Sequence, residues 1–203
     1  SEMFPLVNQT APNPTRFFQI WLNLPSKSKF ANPAFVMHWG EEIPKLSSDD
    51  GLTSGTIYAG ELNGKKGLPP PPDSWANDSN NEVAVWHLTL KSGASFTLPK
   101  AKGGQDINRQ IYWIEGNTLK VGDTDMESHS IVTLNAGVDT PLSNSGSSSS
   151  EILVLQGRPI SEPVVQHGPF VMNTQAEIQQ AFADYRRTQF GGKLIFFITL
   201  LLL

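Results

Sequence analysis

Histidine is the residue type in this chain that is best suited to metal binding or acid–base chemistry, because its pKa lies near neutrality. A first-row metal in an oxygenase needs several convergent nitrogen and oxygen ligands with open coordination positions. No two histidines here stand at H-x-H or H-x-x-x-H spacing, and isolated histidines rarely supply such a set. The four histidines are His38, His87, His129 and His167.

Three of these histidines have simpler expected roles. His87 follows Trp86 in a predicted strand, where packing or a hydrogen bond is expected. His129 lies in a polar turn, and His167 lies in a loop before Gly168, where hydrogen bonds that fix the loop are favoured over metal ligation.

The sequence lacks the residues and motifs on which several other common catalytic mechanisms depend. The chain has no cysteine, which excludes disulfides and thiolate chemistry and fits a reducing compartment. It contains neither a glycine-rich phosphate loop nor a G-x-S-x-G nucleophile elbow. With 15 basic and 19 acidic residues the net charge is -4, which argues against a broad phosphate-binding face and a direct nucleic-acid partner.

Short strands joined by turns are expected to position the side chains, because 203 residues include 15 prolines and 17 glycines. Residues 16–24 alternate between two faces, with Phe18 and Ile20 on one and Trp21 on the other, which predicts a strand with one buried face. Further strands are predicted over 34–39 and 52–59.

The segment 61–82 differs in composition and is interpreted as a connector between two β units. Four consecutive prolines, Pro69 to Pro72, favour an extended conformation with few hydrogen bonds, and a polar stretch surrounds Trp75. A ligand for a proline-recognition domain is the alternative.

The second unit starts at Val83, and its strands are predicted over 83–90, 130–134 and 152–155. Residues 110–114 and 118–121 are predicted to form a hairpin around Gly116-Asn117. Ser143 to Ser150 is predicted to be a flexible loop. This spacing of short strands predicts an all-β antiparallel sandwich or barrel.

A single helix is predicted over 174–189. Thr174 and Glu177 fit a capping box, and a stripe ending at Tyr185 has helical spacing. Gly191-Gly192 are predicted to end the helix. Upstream, residues 166–174 read Gln-His-Gly-Pro-Phe-Val-Met-Asn-Thr. The Gly-Pro break, the short apolar run and the helix-capping Thr174 predict a loop that docks onto the start of the helix.

That string, with Arg158-Pro159-Ile160 and the run 162–165, resembles the C-terminal signature of the pirin family, two-barrel members of the cupin superfamily. The resemblance extends from residue 1 to about 190, and Pro-Pro-Asp-Ser-Trp-Ala at 71–76 is similar to the bacterial and plant-type branch. It implies an all-β fold in which a double-stranded β-helix (cupin, jelly roll) is repeated twice, with one C-terminal helix.

The resemblance also implies an iron site in the first barrel, with three histidines and one glutamate as ligands. Ser1-Glu2-Met3 is similar to the family's His-Ser-Glu-Met string, so Glu2 matches the iron-binding glutamate while the three histidines have no counterpart. The chain is therefore expected to lack the N-terminal part of the first barrel and to hold no iron stably, although the intact parent would bind Fe(II). No catalytic residue is assigned.

The second barrel is expected to be metal-free. Residues such as Thr97, Leu98 and Pro99 stand where a cupin would carry H-x-H, and none of them is a transition-metal ligand. Residues 83–172 are therefore predicted to bind no stoichiometric metal.

Two functions follow from the resemblance. The parent would be an Fe(II)-dependent dioxygenase that cleaves a flavonol such as quercetin, or a non-enzymatic, redox-sensitive regulator that binds transcription factors or signalling proteins. The expected partners are accordingly a flavonol-type small molecule or a regulatory protein, and the expected location is the cytoplasm, the nucleus or both.

The predicted organisation closes with an unusual tail. The expected units are 1–60 (the remainder of the first barrel), 61–82 (connector), 83–172 (C-terminal barrel), 173–190 (helix) and 191–203 (aberrant apolar tail). The tail is shorter than the ~20 residues that span a bilayer, so a truncation or read-through artefact with few contacts is favoured over a membrane or partner anchor.

Overall fold

The structure, a computed structural model, describes residues 7–188. No helix within that range is long and apolar enough to cross a membrane. In chain order the elements are β1 (Lys45–Ser47), β2 (Thr53–Ala59), β3 (Glu61–Leu62), β4 (Lys65–Lys66), β5 (Ala84–Leu90), β6 (Ser95–Leu98), β7 (Asn108–Glu115), β8 (Lys120–Val121), β9 (Thr124–Asp125), β10 (Ile131–Asn135), β11 (Thr140–Ser143), β12 (Ser150–Gly157), β13 (Val165–His167), β14 (Phe170–Met172) and α1 (Gln175–Thr188).

Two antiparallel sheets form the body of the fold. The larger has six strands in the order β1-β2-β5-β12-β7-β10, and the smaller has four in the order β6-β11-β8-β9. Two small two-stranded sheets are separate from them: β3-β4, with strands of two residues, and β13-β14, with strands of three. The prediction of an all-β antiparallel fold with one C-terminal helix is confirmed.

The sheets pack face to face because each strand alternates apolar side chains toward its partner sheet. In β5, Trp86, Leu88 and Leu90 are buried, while His87 and Thr89 between them are partly exposed. The main core cluster joins residues of both sheets. Its fully or almost fully buried members include Ile57, Leu88, Leu90, Leu98, Ile111, Leu119, Leu142, Ile152 and Val154.

The predicted strands over 16–24 and 34–39 are not formed. The alternation in the first segment is nevertheless real, since Phe18 and Ile20 are half-buried while Phe17 and Trp21 are exposed. Phe18 and Ile20 pack against the outer face of the six-stranded sheet, beside Val85 and Leu153. The pattern therefore identified a packed face, but no strand among residues 7–188 pairs with this segment in a hydrogen-bonded ladder.

The predicted hairpin of 110–114 with 118–121 is wrong. β7 pairs with β10 and β12 in the larger sheet, whereas β8 pairs with β9 and β11 in the smaller one. Gly116 lies at the crossing with a φ of +116°. An added Cβ there would overlap Oγ of Ser150 and lie 2.7 Å from its Cα, so the chain can change sheets here because residue 116 has no side chain.

The loop between β11 and β12 is pinned and is not the flexible segment that its serines suggest. Asn144 is 1% exposed and donates from Nδ2 to the carbonyl oxygens of Leu90 and Ser148, at 2.9 and 2.8 Å. Its Oδ1 accepts the backbone N–H of Gly146 at 3.0 Å. A buried amide that satisfies three backbone groups fixes the loop.

Helix α1 starts as the sequence predicts. The backbone N–H of Thr174 donates to Oε2 of Glu177 at 2.7 Å, and the N–H of Glu177 donates to Oγ1 of Thr174 at 3.2 Å, which is a reciprocal capping box. Ile178 and Ala181 are buried against Phe170 of β14. The predicted stop at Gly191-Gly192 and the tail 191–203 lie outside the described residues.

The larger sheet extends upstream of the proline-rich segment. β2 pairs with β5, so strands on either side of residues 60–83 are neighbours. Between residues 7 and 44, the described part of that upstream region, no strand is present. The division of the chain at residues 60 and 83 stays a prediction.

Candidate functional site

His87, His129 and His167 lie in separate parts of the fold. Nε2 of His87 lies 3.2 Å from Oε2 of Glu151 on the outer face of the larger sheet, and Nδ1 of His129 lies 3.1 Å from the carbonyl oxygen of Ile114. The ring of His167 packs edge-on against Phe182, with centroids 5.3 Å apart. The expected packing or hydrogen bond of His87 is confirmed.

Residues 7–188 do not fit an iron centre. No three His, Cys, Asp or Glu side chains in that range form a group that could hold a metal ion. At the position that resembles the H-x-H site, Leu98 is completely buried in the core, while Thr97 pairs with Pro141 at the surface of the smaller sheet. Glu2 lies outside the described residues, so its role as an iron ligand stays a prediction, as does the metal-free second barrel.

The polar side chains that do converge form an ionic cluster on the outer face, made of Arg16, His87, Glu115 and Glu151. The guanidinium of Arg16 donates from Nη1 to Oε1 of Glu115 at 2.7 Å and from Nη2 to Oε2 of Glu151 at 2.8 Å. The hydrogen bond to Glu151 raises the pKa of Arg16 above its ordinary value.

This ionic cluster is suited to holding the N-terminal segment more than to catalysis. Arg16 precedes the packed residues Phe18 and Ile20, and its fork joins β7 to β12. The guanidinium takes one carboxylate oxygen of Glu115 and one of Glu151, so both carboxylates serve to hold Arg16.

The outer face beside the ionic cluster is apolar. Val85 and Leu153 are buried there, and the half-buried neighbours are Phe18, Ile20, Tyr58, Ala59, Tyr112, Ile114 and Leu155. Burial raises the pKa of the Tyr58 hydroxyl, so this phenol stays neutral at physiological pH. The face has the character of a packing surface.

The signature 158–174 is a structural clamp, as the loop-and-helix interpretation predicts. β13 and β14 pair around Gly168, whose φ is +55°. The side chain of Asn173 donates to Oε2 of Glu162 at 2.9 Å and to the carbonyl oxygen of Pro163 at 3.0 Å. The same Oε2 of Glu162 accepts the backbone N–H of Ser26 at 2.7 Å.

Lys29 completes this clamp from the N-terminal segment. Its Nζ donates to Oδ1 of Asn23 at 2.7 Å and to the carbonyl oxygen of Val171 at 3.1 Å. Desolvation by burial lowers the pKa of Lys29, against the attraction of Glu162 and Glu177. The hairpin, the helix start and residues 23–29 are therefore held as one unit.

The proline-rich connector is locked to the start of the same signature. Nε1 of Trp75 donates to the carbonyl oxygen of Arg158 at 3.0 Å, and the N–H of Arg158 donates to the carbonyl oxygen of Asn81 at 2.7 Å. Asn81 donates back from Nδ2 to the carbonyl oxygen of Trp75 at 2.8 Å. The two sequence runs that carried the resemblance thus meet in three dimensions.

The buried guanidinium of Arg109 is a feature that the sequence motifs do not predict. Arg109 is 1% exposed in β7 and faces the core, like Ile111 and Trp113 on the same strand. Its Nε donates to Oε1 of Gln156 at 2.7 Å. The available signal was its place in the period-two pattern, which puts a charge at an inward position.

Comparison with known proteins confirms the cupin prediction and the family resemblance. The family model that describes the pirin C-terminal cupin domain matches residues 85–191. A pirin-like protein from Solanum lycopersicum is 33% identical over 177 residues, which cover 86% of this chain and 56% of the relative. Pirin from Homo sapiens is 34% identical over 182 residues, which cover 88% of this chain and 58% of the relative.

A solved structure extends the comparison to bacteria. The crystal structure of a quercetin 2,3-dioxygenase from Acinetobacter baumannii superposes with a TM-score of 0.71 and 30% sequence identity, over 83% of this chain and 55% of that one. The chain thus spans little more than half the length of these relatives.

Proposed function

The chain belongs to the pirin family, and we propose from this premise that it supplies the C-terminal, metal-free cupin barrel of a two-barrel Fe(II)-dependent dioxygenase that acts on a flavonol such as quercetin. The observation that carries the proposal is the similarity to the Acinetobacter baumannii quercetin 2,3-dioxygenase, at 30% identity and a TM-score of 0.71.

Iron and its chemistry are assigned to the other barrel. Iron would bind and activate the substrate and oxygen, but residues 7–188 contain no group of three candidate ligands to hold it. The contribution proposed for this barrel is to form and support one wall of the assembly. Its larger sheet presents Val85, Leu153 and their aromatic neighbours on an outer face already packed against Phe18 and Ile20.

The proposed units are those predicted from the sequence, with residues 83–172 as the second barrel and Glu2 as an iron ligand of the first. In these proposed units β2, at 53–59, belongs to the first, and its pairing with β5 joins the first unit to the second by a backbone ladder. The proposed location is the cytoplasm or nucleus.

The experiment compares the chain alone with the chain fused behind the N-terminal half of the Acinetobacter baumannii relative. Both proteins are loaded with Fe(II) anaerobically, and bound iron, quercetin absorbance and oxygen uptake are measured. We expect about one iron and turnover for the fusion, and neither for the chain alone. Stoichiometric iron or turnover with the chain alone would contradict the proposal.

A redox-sensitive regulator of transcription or signalling proteins is the alternative function. Tight iron binding by the fusion without quercetin turnover would favour the regulator over the dioxygenase. A matched fusion in which the glutamate at position 2 is replaced, Glu2→Gln, is expected to bind iron more weakly, which tests the proposed ligand separately from the reaction.

A further inference from the structure

Arg109 places a charged guanidinium inside the sandwich with one nitrogen unpaired. Arg109 is the second residue of β7, the central one of three adjacent strands. It pairs with Leu134 on β10 and with Gln156 on β12. Nε donates to Gln156, but Nη1 is buried and has no hydrogen-bond partner within the described part of the chain. Leaving a buried charged donor unpaired costs more than an ordinary missing hydrogen bond.

A second unpaired donor belongs to the indole ring over which this guanidinium lies. Trp86 is 2% exposed, its Nε1 has no partner among the described residues, and its ring centroid is 5.9 Å from the guanidinium carbon of Arg109. An indole N–H and a guanidinium can only donate, so neither group can satisfy the other. Any occupant that satisfies both must present acceptors.

The nearby carboxylates do not fill this role. Glu82 and Asp139 raise the pKa of Arg109 from a distance, while the larger effect of burial lowers it. Both oxygens of Glu82 accept backbone N–H groups, from Lys102 and Gly103, and Oδ1 of Asp139 accepts that of Lys100. Within residues 7–188, neither forms an ion pair with Arg109.

We propose that the interior of this sandwich binds a small monovalent anion, a halide or a short carboxylate such as formate, through Nη1 of Arg109 and Nε1 of Trp86. An anion accepts from both donors and adds a charge-assisted hydrogen bond to the guanidinium. A water molecule would also accept, but it would leave the positive charge uncompensated. This site is independent of iron and of the proposed dioxygenase function.

The test uses the whole chain and varies the anion at constant ionic strength, with gluconate, a much larger anion than chloride or formate, as the replacement ion. Melting temperature is followed by circular dichroism as chloride or formate replaces gluconate. An anion that binds only the folded state must raise the melting temperature, with the logarithmic concentration dependence of a single site. Equal melting temperatures in gluconate, chloride and formate would overturn the proposal and leave water as the occupant.

Variants locate the effect. Trp86→Phe removes one donor together with part of a buried ring, so its anion response is measured against its own melting temperature in gluconate. The response should weaken about fivefold, which is the loss expected for one hydrogen bond. Arg109→Lys should abolish the response. Arg187→Gln, which changes an exposed arginine on α1, is the matched control and should keep it. An unaltered response in Trp86→Phe would place the anion elsewhere and overturn the assignment.

A measurement on the unmodified chain covers the case in which Arg109→Lys fails to fold. Crystals soaked in bromide should show an anomalous peak within hydrogen-bond distance of Nη1 of Arg109. Peaks confined to the protein surface would identify adventitious ions only and would contradict the proposal.

Discussion

The backbone N–H of Ser26 donates to Oε2 of Glu162 at 2.7 Å, although the two residues are 136 positions apart in the sequence. This contact ties the strandless N-terminal segment to the signature clamp. It is also the main reason that the pKa of Glu162 lies below its ordinary value, with Asn173 and Lys29 lowering it further.

Glu162→Gln should therefore destabilise the protein in a pH-dependent way. A carboxylate whose pKa is lowered by folding stabilises the folded state above its unfolded pKa of about 4.3, and the effect is lost as pH falls through the folded value. We expect a lower melting temperature than wild type at neutral pH and a gap that closes below about pH 4. Exposed Glu127→Gln is the control and should show no gap. A gap that persists unchanged in acid would mean that the carboxylate charge is not involved.

Trp75→Phe tests the lock between the proline-rich connector and Arg158. The substitution removes the indole donor and leaves the Arg158 carbonyl oxygen without it, so we expect the free energy of unfolding in urea to fall by about 1–2 kcal/mol. Trp39→Phe is the matched control, because Trp39 is 56% exposed and surface substitutions change stability by about 0.5 kcal/mol or less. Equal losses for both variants would show that the lock contributes nothing.

Gly116→Ala should be among the most damaging glycine substitutions. The new methyl group would overlap Ser150 at a φ of +116°, so crowding adds to backbone strain and we expect a loss of at least about 3 kcal/mol. Gly122 has a φ of +58° with nothing within 4 Å of an added Cβ, so Gly122→Ala isolates the strain at about 1–2 kcal/mol. Urea denaturation of both variants measures the difference, and similar losses would refute the role of crowding.

Arg16→Gln should release the N-terminal segment with little effect on the sandwich. Each half-exposed ion pair contributes up to about 1 kcal/mol, so local opening should increase about fivefold while the melting temperature changes little. Chymotrypsin cleavage after Phe17 and Phe18 measures the opening by its rate. Arg187→Gln is the control, since that arginine pairs with Asp184 on α1. A large fall in melting temperature without faster cleavage would contradict this local role.

The parts of the fold that local chemistry determines were predictable. Thr174 and Glu177 specify the start of α1 within four residues, and the alternation in β5 specifies its buried face. Phe18 and Ile20 were correctly assigned to a packed face. Whether that segment is a strand depends on a hydrogen-bonding neighbour, which is information that the segment itself does not contain.

The features that the sequence did not predict depend on which segments pair or pack together, and local sequence does not specify that. The hairpin prediction failed because β7 pairs with β10 and β12 in the larger sheet, whereas β8 pairs with β9 and β11 in the smaller one. The Gly116-Asn117 pair looks the same in a hairpin and in a crossing between sheets. Arg109 escaped notice because a charge at an inward position is conspicuous only once the register is known. The ionic cluster joins Arg16 to residues 99 and 135 positions away, which no spacing rule links.

Because β2 and β5 lie side by side, a single peptide-bond cleavage in the excursion between them, residues 60–83, would leave two pieces held together by an intact backbone ladder. The nicked protein would elute as one species on a sizing column and divide into two bands under denaturing electrophoresis. The excursion is therefore a natural place to split this chain into complementing halves, which could be produced separately and mixed.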